Sequence, residues 1–235
     1  MNFAPLNLVG YAQNELRAGA SMVAPQFVNV GASESIPLES IVPVGDGASD
    51  TVEIQTITAG GLTKDSYMWV DYAGEGWDEE GWIDSNAELG EYYPVVSGVT
   101  FEPGQGLYVF GQDGLAVQTA GKVGTADVVV SLRAGATATG NPFPTQVSLT
   151  DIIAVGDGAS DTVEIQTITA GGLTKDSYMW VDYAGEGWDE VGWIDSNAEL
   201  GEYYPLVTNV SFAAGQGLCV FGQDGLSIRF PAPEL

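Results

Sequence analysis

At 235 residues, 45% of them apolar, the chain has material for two domains of ordinary size with real cores. Its 32 acidic residues against six basic ones give a formal charge of −26, which excludes nucleic acid as a partner because phosphate binding needs clustered Lys or Arg. The same charge is repelled by an anionic membrane, and no apolar run approaches the roughly 18 residues of a span, so no membrane insertion is expected.

The N-terminal segment MNFAPLNLVGYAQNEL has neither a basic nor an apolar signal-peptide region, which leaves a cytoplasmic chain or an exported one whose signal has been removed. Phe3, Leu6, Leu8, Val9 and Tyr11 make this segment a candidate for strand addition to a neighbour's sheet edge. Asn7 to Leu16 leads into an Arg-Ala-Gly turn at 17–19, and Val123 to Leu132 leads into the same turn at 133–135. The stretch that follows each turn is where the two halves differ most.

Next comes the block that organises the chain. Val44 to Pro94 returns at Val155 to Pro205 with one change, Glu80 to Val191, and the copies lie 111 residues apart. The chain therefore reads as one module written twice, with a first module at 1–121 and a second at 122–235. The boundary is placed in TAGKVGT, where two glycines interrupt the β pattern. Within the block, VGDGASD is a turn cluster, and Val52 and Ile54 alternate with polar residues as in a half-buried strand. AGGLTKD turns the chain and places Lys64, like Lys175 in the repeat, in a solvated turn. SYMWVDY is a second strand, with Tyr67, Trp69 and Asp71 on one face and Met68, Val70 and Tyr72 on the other. GWID adds a further short strand, and FEPGQGLYVFGQDGLAV closes the module as two strands joined by Asp-Gly turns. No segment holds a 3.6-residue apolar period. The expectation is an all-β chain of two tandem homologous β-sandwich or small-barrel modules with little helix.

Three chemistries compete for the polar and aromatic residues. Asp46, Asp50, Asp78 and Asp84 offer oxygen ligands for Ca2+, although the spacing of a DxDxDG loop is absent. Trp77 and Trp82, with Trp188 and Trp193 in the repeat, form with their acidic neighbours either a sugar platform or a packed lid over a β core, and packing is favoured. Catalysis is poorly supplied. Histidine is absent, the single Cys219 replaces the Tyr108 of the first copy, and no carboxylate pair is singled out.

The opening Val9-Gly10-Tyr11, the Tyr/Trp-rich middle and the closing PGQGLYV at 103–109, weakened to AGQGLCV at 214–220, resemble a group of uncharacterised bacterial exported proteins with tandem β modules. The resemblance implies an exported chain, extracellular or on the cell surface, and brings no activity with it. The reading is a non-enzymatic structural protein whose partner is itself, assembling head to tail into a filament or surface layer. The alternative is an adhesin that binds a surface glycan through the tryptophan block, with duplication raising avidity.

Overall fold

A computed structural model of the chain describes residues 9–28, 35–57, 63–72, 80–86, 94–168, 174–184, 190–197 and 205–234. In the first half the strands are β1 Val9–Glu15, β2 Gly19–Val23, β3 Phe27–Val28, β4 Ile36–Pro37, β5 Ile41–Val44, β6 Glu53–Ile57, β7 Thr63–Asp71, β8 Glu80–Asp84, β9 Thr100–Phe101, β10 Leu107–Gly111 and β11 Ala116–Val123. In the second they are β12 Val128–Ser131, β13 Gly135–Gly140, β14 Val147–Ser148, β15 Ile153–Val155, β16 Glu164–Ile168, β17 Thr174–Asp182, β18 Val191–Asp195, β19 Ser211–Phe212, β20 Gly217–Gly222 and β21 Ser227–Phe230. Two short 3-10 turns, Leu38–Ser40 and Leu149–Asp151, interrupt them, and the described residues contain no α-helix.

Each half is an open sandwich of antiparallel sheets, and none closes into a barrel. A five-stranded sheet, ordered β2-β10-β6-β7-β8, faces a smaller one in which β11 lies between β1 on one side and β3 with β5 on the other. The second half repeats this as β13-β20-β16-β17-β18 over β12-β21-β15. Registers repeat as well: Glu53 opposes Met68 as Glu164 opposes Met179, and both hairpins shift register at the same place. The period-two pattern accounts for this, since Ile54, Trp69, Leu107 and Val109 point inward with 7% exposure or less. The two cores do not mix. One cluster runs from Leu16 to Val117 and the other from Leu132 to Phe230.

Two expectations need correction. Strand β11 passes through 121/122 without a break, because Gly121 allows a close approach: a Cβ there would lie 2.6 Å from the Val28 carbonyl oxygen. The chain leaves the ladder at Gly124 instead. Lys64 and Lys175 lie in strands β7 and β17, not in turns, since the hairpin ladder reaches Thr63 and Thr174. The second half also lacks a counterpart of β3. Pro142 and Pro144 flank Phe143, and Pro231 and Pro233 stand where the first half has Ala120 and Lys122, so the amide donors that the extra ladder needs are missing. Phe143 is still buried, as Phe27 is.

Candidate functional site

The tryptophans of the repeated block that can be placed are interior. Trp82 and Trp193 are each 1% exposed, and their indole N–H groups donate to the Ile41 and Ile152 carbonyls at 2.8 and 2.7 Å. Each meets a second tryptophan edge to face, Trp69 at 5.4 Å and Trp180 at 5.3 Å between centroids. Neither presents a face to a sugar; both pack. Trp77, Trp188 and Asp78 lie outside the described residues.

Three of the acidic turn residues that can be placed, Asp50, Asp161 and Asp84, accept hydrogen bonds from groups close by. Asp50 holds a left-handed φ of 57° and takes hydrogen bonds from the Tyr72 hydroxyl at 3.1 Å and the Ser49 hydroxyl at 3.2 Å; Asp161 repeats this with Tyr183 and Ser160. Asp84 accepts the Asn86 amide at 2.8 Å, and Asp46 is exposed in its turn. Among the described residues no three carboxylate or thiol groups gather as a metal site.

What the sequence did not disclose is the contact between the halves. Val23 bridges to Gln216, and Thr139 bridges to Gln105. Val23 and Thr139 are equivalent, each opposing the leucine that opens the neighbouring strand of its own sheet, Leu107 or Leu218; Gln105 and Gln216 are equivalent across the repeat. The contact is therefore reciprocal about a pseudo-twofold axis. The Ala24 amide donates to the Gly215 carbonyl at 3.0 Å, the Gly106 amide donates to the Ala138 carbonyl at 3.1 Å, and the Thr139 hydroxyl donates to the Gly104 carbonyl at 2.7 Å. Tyr108 and its counterpart Cys219 line one cavity of about 80 Å³ near this axis. Burial pushes the Tyr108 hydroxyl and the Cys219 thiol above their ordinary pKa values; the charge of Cys219 adds to the first shift and that of Glu164 to the second. The Tyr/Cys difference inside an otherwise shared motif thus falls where two equivalent positions converge on one small space. That difference was the one available signal.

The second feature is a pair of open strand rims. Strand β1 makes a seven-residue antiparallel ladder with its own β11, so it is a member of its own sandwich; its outer side is a sheet edge. Val9 and Tyr11 are 60% and 76% exposed there. Phe3, Leu6 and Leu8 lie outside the described residues. Among the described residues the equivalent strand β12 pairs with β21 alone, and its Val129, which sequence reasoning passed over, is 58% exposed. Among the described residues no backbone hydrogen bond reaches the outer side of either strand. Neither rim carries Pro or Lys, the residues that usually blunt an edge. No family model, curated protein or solved structure matches the chain.

Proposed function

We propose that this chain is a non-enzymatic structural protein, exported to the cell surface or beyond, that assembles with copies of itself into a filament or layer through its sheet edges. The carrying observation is the β1 rim: a seven-residue strand paired with β11 on one side and, among the described residues, with no strand on the other, with Val9 and Tyr11 exposed on it. Backbone pairing gives affinity without the basic residues that this chain lacks. The resemblance to exported tandem β proteins supports the location.

Head-to-tail growth does not come from repeating the contact between the halves. That contact is reciprocal, so it closes on itself, and propagation uses a different surface. At a charge of −26, copies repel one another at low ionic strength, and salt or divalent cations screen the repulsion. Calcium would thus act by screening and bridging. Negative-stain electron microscopy of the purified chain, with and without millimolar calcium, tests the reading. Regular polymers favoured by the cation are expected; dispersed two-lobed particles at every ionic strength and concentration would overturn it.

A further inference from the structure

The self-assembly reading, on which this inference rests, leaves open which edges meet, and the equivalence of the halves narrows the choice. Ala12 opposes Thr119 as Val128 opposes Phe230, so β1 and β12 are the same edge of the same sandwich, carried once by each half. We infer that the β1 rim of one copy pairs antiparallel with the β12 rim of the next, Tyr11 lying against Val129.

These rims carry little negative charge. Strand β12 holds no acidic residue and β1 only Glu15. One strand inward, Lys122 opposes Val9 and Arg229 opposes Val129, which places two of the chain's six basic residues beside the two rims. Asp127, at the start of β12, is already engaged: its carboxylate bridges Arg229 at 3.7 Å and accepts the Ala232 amide at 2.9 Å. In a chain this acidic, these are edges at which two copies can approach. Side chains match as well. Val9, Tyr11 and Gln13 point to the exposed face of β1, and Val129 and Ser131 to that of β12. With Tyr11 opposite Val129, Val9 falls opposite Ser131, and an aromatic ring meets a β-branched side chain.

Geometry then explains growth. The contact within a chain is one pseudo-twofold, and antiparallel pairing of equivalent edges between chains is another. Alternating two different twofolds extends as a filament where their axes do not meet, each copy adding to one end of the last. Pairing of β1 with β1 and β12 with β12 would also bury the rims, but it would give two kinds of joint.

The test uses two full-length variants, Tyr11→Lys and Val129→Lys. Each places a charge on an exposed rim, away from either core. Circular dichroism and tryptophan fluorescence first establish that both fold as wild type. Should either fail, Tyr11→Glu and Val129→Glu replace them. Sedimentation velocity is then run on each variant and on their equimolar mixture, under conditions where the wild type polymerises. The expected result is monomers for each variant alone and a species of twice the mass for the mixture, because only the intact β12 of the first variant and the intact β1 of the second remain to pair. Dimers of either variant alone would overturn the mixed pairing in favour of like-with-like joints. Polymers unchanged in both would overturn the rims while leaving self-assembly standing. A wild type that stays monomeric would instead overturn the self-assembly reading itself.

Discussion

Replacing Gly217 by alanine isolates the contact between the halves from the folding of either half. The backbone of Gly217 is not left-handed, so alanine is conformationally acceptable there, and the effect of the substitution on the unfolded chain alone would be stabilising by about 0.4–1 kcal/mol. The obstacle is steric and comes from the other half. The new Cβ would stand 2.4 Å from the Met22 carbonyl carbon and oxygen, where ordinary contact begins near 3.4 Å, and the difference requires a shift of about 1 Å. A shift of that size breaks the adjacent Ala24-to-Gly215 bond of 3.0 Å and strains the other two bonds between the halves. At roughly 1 kcal/mol for each hydrogen bond, and 1–3 kcal/mol for an overpacked site, the net loss is about 1–3 kcal/mol. Urea unfolding followed by tryptophan fluorescence reads it. Gly124→Ala is the control, since a Cβ there meets only Phe143 at 3.8 Å. If Gly217→Ala unfolds within about 0.5 kcal/mol of wild type and of the control, the reciprocal contact does not hold the halves together and the argument fails.

The remaining predictions concern the cores and the axis. Trp82→Phe and Trp193→Phe each remove the bond to a buried carbonyl and shrink an interior ring, and each should cost about 2–4 kcal/mol in chemical denaturation. Because the two core clusters share no residue, the double variant should be additive within about 0.5 kcal/mol, and a larger coupling would contradict two separate cores. Tyr108 and Cys219 hold their protons more tightly in the folded chain than in the unfolded one. Their contribution is therefore whole below the unfolded pKa values, roughly 8.5 for a thiol and 10 for a phenol, and is lost as pH rises through the folded values. Denaturation midpoints should fall on the alkaline side and fall less steeply in Cys219→Ala; identical slopes would refute the thiol's share.

Much of the sandwich was legible because its signals are local. Alternation at Val52 and Ile54, the seven residues of SYMWVDY, the GWID strand and the glycine turns each depend on a few neighbours in sequence, and strands β6, β7, β8, β10 and β11 stand where those signals fall. Chain-length repetition gave the division into halves. What escaped depends on partners far away. Gly121 looked like a breaker and is a strand residue, because only the approach of Val28 explains it. Packing of Trp82 was favoured over a sugar platform and the structure buries it, but its partner was not legible: the indole N–H donates to the carbonyl of Ile41, 41 positions earlier. Val129 drew no notice, and its exposure follows from its place on the outward face of β12, a strand with one neighbour among the described residues. The reciprocal contact left a single trace, Tyr108 against Cys219, which is readable once the axis is known.

Hydrogen exchange across the assembly transition tests the central claim most directly, since backbone pairing at an edge slows the amides that form it. The chain is compared dilute at low ionic strength and concentrated with calcium. The account predicts that slowed exchange appears in segments 9–15 and 128–131, with the interior strands β6, β10, β16 and β20 unchanged. Exchange that is the same in both states throughout the chain, or slowed only away from those two segments, would contradict it.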